Sequence, residues 1–149
     1  MVYKYLIPIG VIYVYSYFIL RNNIKNKIDT IVTDNALEDF IALAKYSDTT
    51  NVKTVSETLT SRTGNCLEFS LVYASNSLHH NNKPKIVLML YIGLKKPFIG
   101  LHATVMDKKS LVDLTEKITI EGRFKLIKYI LFAVTRAKTL FIPIYIIPL

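Results

Sequence analysis

Residues 5–20, YLIPIGVIYVYSYFIL, carry no charge, with Lys4 before them and Arg21, Lys25 and Lys27 after. Extended by residues 1–3 and a snorkelling Lys4, this run reaches roughly the 20 residues that a helix needs to cross a bilayer. Tyrosines stand at 3, 5, 13, 15 and 17, and those near the ends suit the headgroup region, where a ring can be buried while its hydroxyl stays wet. No small-x-small cleavage pattern precedes Arg21, so the run reads as a retained anchor rather than a secretory signal. The expectation is a single-pass membrane protein with an N-terminal transmembrane helix. Residues 1–28 form the anchor and its basic flank, and residues 29–149 form one domain. The flanking charges lean, by a margin of one, toward a cytoplasmic C-terminal domain.

Composition supports apolar surface beyond an ordinary core: 51% of the 149 residues are hydrophobic and mean hydropathy is +0.31. Lys and Arg outnumber Asp and Glu by 19 to 11, a net charge of +8. The basic residues are scattered singly or in pairs and accompany no nucleic-acid motif, so membrane lipid is the expected partner and nucleic acid is not. Cys66 is the only cysteine, which excludes an intramolecular disulfide and a Cys-based zinc cluster. No metal or cofactor is expected.

Behind the apolar run the pattern is mixed. In DNALEDFIALAKYS, Asp34 is placed to cap a helix whose Leu37, Phe40, Ile41 and Ala44 share a face. Residues 52–59 fit a short helix, and residues 61–65 read as a loop. CLEFSLVYASNSLHH then places Leu67, Leu71, Ala74 and Leu78 at helical spacing, with Cys66 at the N-terminus. KIVLMLYIG, LHATVMD and SLVDLT read as strands from their length and their β-branched or aromatic content. Lys95 and Lys96 before Pro97 read as a loop. Residues 121–138 form a basic amphipathic stretch, expected to pack an apolar face on the domain and to turn its Lys and Arg toward anionic lipid. The two prolines of FIPIYIIPL argue against a regular helix or a central strand there.

A thiol is a good nucleophile only as thiolate, and a helix N-terminus and a nearby imidazole are two common ways of stabilising one. Cys66 has the first, and His102 on a strand supplies the second. Asp113 on the following strand is placed to orient the histidine ring if LHATVMD and SLVDLT pair as a hairpin. Taken alone, Cys66 would more simply be a small buried hydrophobe, His102 a core or surface residue, and Asp113 a turn former. His79 and His80 read as a solvated helix end, because adjacent helical positions diverge. Glu68 is a carboxylate in a first helical turn, which the helix dipole favours.

From about residue 52 to residue 115 the chain resembles the transglutaminase-like cysteine proteins, a branch of the papain-like thiol hydrolases. Gly64, Cys66, Glu68 and Ser70 in TSRTGNCLEFS are similar to that family's Gly-x-Cys motif with its following acidic and small residues. His102 at the head of a strand and Asp113 in VDLT follow in the family's order. The resemblance implies an α+β, papain-like fold with the nucleophile's helix packed on an antiparallel sheet. It also implies a catalytic triad of Cys66, His102 and Asp113 and a protein or peptide substrate. The expected activity is a membrane-anchored cysteine hydrolase or acyltransferase, acting on amide bonds through a thioester. The alternative is a catalytically inactive binding module at a membrane. No glutamine occurs in the chain, so the backbone N–H of Cys66 and a further donor must stabilise an oxyanion.

Overall fold

The computed structural model describes residues 3–95 and 98–149, the side chains of residues 3–7 excepted. Its helices and strands form an α+β architecture around a five-stranded antiparallel sheet. The sheet comprises β3 (Lys85–Gly93), β4 (Ile99–Met106), β5 (Ser110–Asp113), β6 (Ile118–Glu121) and β7 (Thr139–Pro148), in the order β6-β5-β4-β3-β7. The strands expected from KIVLMLYIG, LHATVMD and SLVDLT are all present, and the last two pair as a hairpin. β7 lies at the sheet edge, where prolines are tolerated. Pro143 sits beside a register shift opposite Leu88 and Met89, and Pro148 closes the strand.

The helices are α1 (Tyr3–Asn26), α2 (Asp34–Leu43), α3 (Val55–Ser61), α4 (Cys66–His79) and α5 (Lys125–Phe132), which runs into a π-helical turn, Ala133–Ala137. A two-residue parallel pairing joins β1 (Lys45–Tyr46), in the stretch expected to be helical, to β2 (Thr63–Gly64), inside the segment 61–65 read as a loop. Thr33, not Asp34, caps α2: its side chain accepts from the Ala36 N–H, and Asp34 becomes the first helical residue. Ile41, expected on the apolar face, is exposed, whereas Leu37 and Phe40 are buried. Lys95 lies in the bend after β3, whereas Lys96 and Pro97 lie outside the described residues.

Two cores cover the two faces of the sheet. One joins Ile24, Val32, Phe40, Val55, Phe69, Leu71 and Val72 to Ile86, Val105 and Ile147 of the strands. The other gathers Val87, Met89 and Leu111 around Tyr129 of α5. The alternation of Ile86 with Val87 and Met89 along β3 divides that strand between the two layers, as the two-residue period of a strand requires.

The transmembrane helix and the single-pass membrane localisation are corrected here. Among the described residues no helix is long and apolar enough to cross a membrane. α1 is long, but Tyr, Ser and Asn dilute its apolar stretch, and Lys4, Arg21 and Lys25 fall inside the helix. One of its faces is spoken for by tertiary contacts. Tyr13 donates its hydroxyl to the Ile144 carbonyl at 2.6 Å and stacks on Tyr145 at 4.8 Å. Ser16 shares a hydrogen bond of 2.7 Å with the Tyr145 hydroxyl. Tyr17 and Leu20 pack on the first core, and Ile24 is 2% exposed within it. These positions recur three and four residues apart and make one helix face. Tyr13 and Tyr17, which hydropathy assigned to a membrane segment, are thus docking residues for β7.

Candidate active site

The segment 63–68 is built around one buried carboxylate. Asn65 caps α4: its side chain accepts from the Glu68 N–H at 3.0 Å, and Glu68 Oε2 accepts from the Asn65 N–H at 2.8 Å. This reciprocal pairing is a capping box. Glu68 Oε1 also accepts from the Lys53 N–H at 2.7 Å, so one carboxylate ties the nucleophile helix to the loop before α3. The Glu68 side chain is committed to holding backbone. Gly64 stands where it does because of that carboxylate: a Cβ there would lie 2.8 Å from Glu68 Oε2 and 3.1 Å from Phe69. The Gly-x-Cys-x-Glu spacing is therefore a packing requirement of this turn.

Cys66 is the first residue of α4 and is partly exposed. The first N–H groups of a helix have no partner within it. The cap satisfies that of Glu68, which leaves the Cys66 and Leu67 N–H groups outside the ladder at the positive end of the helix dipole. β5 pairs with β4 only at Val105 and Met106, so the earlier part of β4 presents an open edge. The Cys66 thiol lies there, 4.0 Å from the Leu101 carbonyl, and it lines a cavity of about 370 Å³ together with His102.

His102 is opposite Met89 in the sheet and is 9% exposed. Its Nε2 lies 2.7 Å from Asp113 Oδ2. An ionised carboxylate has no proton to give, so Nε2–H donates, and Nδ1 is the ring nitrogen left for Cys66. Burial pushes the His102 pKa down. The Asp113 hydrogen bond and the neighbouring Cys66 outweigh it and lift the ring from its ordinary 6.5 to about 9. Asp113, 1% exposed, accepts at both oxygens. Oδ1 takes the N–H groups of Thr115 at 3.0 Å and Glu116 at 3.2 Å. Burial raises its pKa, but the His102 bond and charge and the Tyr129 bond hold the carboxyl below its ordinary value.

Tyr129 was not singled out in the sequence. It is 1% exposed and donates its hydroxyl to the same Asp113 Oδ2 that holds His102. Phe141 of β7 stacks on both rings, 5.2 Å from His102 and 5.3 Å from Tyr129. The available signal was the inward face of the amphipathic segment 121–138, on which Tyr129 and Ala133 are buried.

The structure thus brings Cys66, His102 and Asp113 together and leaves His79 and His80 elsewhere. His80 pairs with Asp34 at 2.7 Å on the exposed end of α4. Chemically, the cluster offers a thiol at a helix N-terminus, a proton acceptor beside it and a carboxylate that fixes the acceptor's tautomer.

Neither a family model nor a curated protein matches the chain. Among solved structures it is similar to one named "Putative Cysteine Protease from Cytophaga hutchinsonii", with a TM-score of 0.42 and 11% identity. The match covers 89% of this chain and 48% of that one, so the chain spans about half the length of that protein. At that distance the likeness assigns no family, and the functional reading rests on the geometry of Cys66, His102 and Asp113.

Proposed function

We propose that this protein is a cysteine hydrolase that cleaves an amide bond of a protein, peptide or smaller amide through a thioester on Cys66. The observation that carries the reading is His102, bound through Nε2 to Asp113 at 2.7 Å and lining one cavity with Cys66, the first residue of α4. The resemblance of GNCLEFS, His102 and VDLT to the transglutaminase-like thiol proteins supports it.

The thiol proton passes to Nδ1 of His102, and the sulfur attacks the amide carbonyl, forming a C–S bond and an oxyanion. The N–H of Cys66 at the start of α4 donates to that oxygen. Collapse breaks the C–N bond, and His102 returns its proton to the leaving amine. Water, deprotonated by the now neutral ring, then attacks the thioester carbonyl. It releases the acid and restores the thiol. Asp113 keeps Nε2 protonated throughout and so holds Nδ1 toward sulfur. An amine in place of water gives acyl transfer from the same thioester.

Mass spectrometry after mixing with a p-nitrophenyl ester tests this. An acyl adduct on Cys66 that forms and then decays is expected, with formation slowed about 100-fold or more in His102→Ala. Adduct formation at the same rate in both proteins would overturn the reading.

A further inference from the structure

Adjoining the thiol's cavity at His102 is a second cavity, of about 490 Å³. The two share Tyr46, Leu101 and His102 in their walls. The second is lined by a run of touching rings. Phe98 packs on Tyr91 at 4.9 Å, Tyr91 on Phe141 at 6.2 Å, and Phe141 on His102 and Tyr129. Phe98 and Leu101 are 56% and 69% exposed although both belong to this wall. Large apolar side chains left open around a concavity mark a binding site more often than a packing fault.

Its charge is as informative as its shape. Lys and Arg outnumber Asp and Glu by 19 to 11 in the chain, yet among the described residues no Lys or Arg lines either cavity. Besides His102, the charged residue in the aromatic cavity is, among the described residues, Glu116. Its backbone N–H is bound to Asp113 Oδ1, which fixes its place beside the site. An aromatic wall with one carboxylate favours a cation and disfavours an anion, through ring quadrupole and charge alike.

The chemistry decides which half of a substrate goes where. The acyl group becomes bonded to Cys66 and must occupy the thiol's cavity. The departing nitrogen receives its proton from Nδ1 of His102, which lines both cavities, so the group that nitrogen carries extends past His102 into the second cavity. We propose that the 490 Å³ cavity is the subsite for the amine half of the substrate. It takes an aromatic group on an amine that leaves neutral, with the one proton from His102, and then takes a second proton from solvent to become an arylalkylammonium ion. This deepens the thiol-hydrolase reading and rests on it.

Binding of 2-phenylethylamine to the full chain, followed by isothermal titration at neutral pH, tests the subsite without requiring turnover. The amine should bind about tenfold or more tightly than either ethylamine, which lacks the ring, or phenylacetate, which carries the opposite charge. Glu116→Gln, at an exposed position, should remove the preference for amine over carboxylate while benzyl alcohol binds as before. Ala137→Trp, which fills the cavity, should abolish binding of all the aromatic probes. Phenylacetate binding as tightly as the amine, or amine binding unchanged by Ala137→Trp, would overturn the proposal. Acylation of Cys66 by an ester needs no amine half. A thiol that acylates normally beside an unselective cavity sinks the subsite alone, and selective amine binding beside an inert thiol sinks the hydrolase reading alone.

Discussion

His102 commits Nε2 to Asp113 at 2.7 Å, and Tyr129 donates to the same carboxylate oxygen. The imidazole is therefore clamped from behind, and its other nitrogen is left on the thiol's side. Asp113 accepts four hydrogen bonds in all from His102, Tyr129, Thr115 and Glu116, so its buried charge is well compensated. Such an arrangement fixes which way a ring points as much as which charge it carries.

The pair makes stability depend on pH in a defined direction. The His102 pKa is raised from 6.5 to about 9, so its contribution is complete below 6.5 and is lost as pH rises through 9. The Asp113 pKa is lowered from 3.8, so its contribution is present above 3.8 and is lost as pH falls. Urea denaturation from pH 4 to pH 10 should show wild-type stability falling on the alkaline side between 6.5 and about 9. His102→Ala should flatten that limb. An unchanged alkaline slope in the variant would contradict the assignment.

Tyr129→Phe removes one donor to Asp113 and little volume. Losing a hydrogen bond to a buried charge should cost about 2 kcal/mol of stability. The alkylation rate of Cys66 should also drop, because the carboxylate that holds His102 is less well fixed. Replacing Tyr129 by Leu would confound packing with bonding, so the phenylalanine variant is the informative one. Full stability in it would mean that the hydroxyl contributes nothing to the clamp.

The reading of α1 as a docked helix has its own test. Ile24 is 2% exposed in the same core as Val32, Leu71 and Ile147, so Ile24→Ala should destabilise the fold by about 2–4 kcal/mol. A residue at the end of a detached anchor would tolerate that change with no shift in the denaturation midpoint.

The sequence disclosed the site better than it disclosed the start of the chain, for physical reasons. Cys66 could be placed because helix start signals are local: Asn65 and Glu68 form the cap within four residues. His102 and Asp113 could be paired because their strands are joined by a short turn, and register follows from it. The prolines of residues 140–149 excluded a central strand, and β7 is an edge strand. Tyr129 reaches Asp113 from 16 residues away across a helix, and no local pattern encodes that contact. The misreading of α1 has the same origin. Its tyrosines look like headgroup anchors by hydropathy, and only the position of Tyr145 on β7 shows that Tyr13, Ser16 and Tyr17 have a protein partner.

The central claim is that Cys66 and His102 act as one unit, with Asp113 behind them. Iodoacetamide alkylation of Cys66 in folded protein, measured as a rate from pH 5 to pH 9, tests it most directly. Near neutral pH the wild-type thiol should react about tenfold or more faster than in His102→Ala, since alkylation requires thiolate and the imidazolium stabilises it. Asp113→Ala should slow the reaction in the same direction but less. A rate profile that His102→Ala leaves unchanged would contradict the account, because the imidazole would then have no part in the reactivity of the thiol.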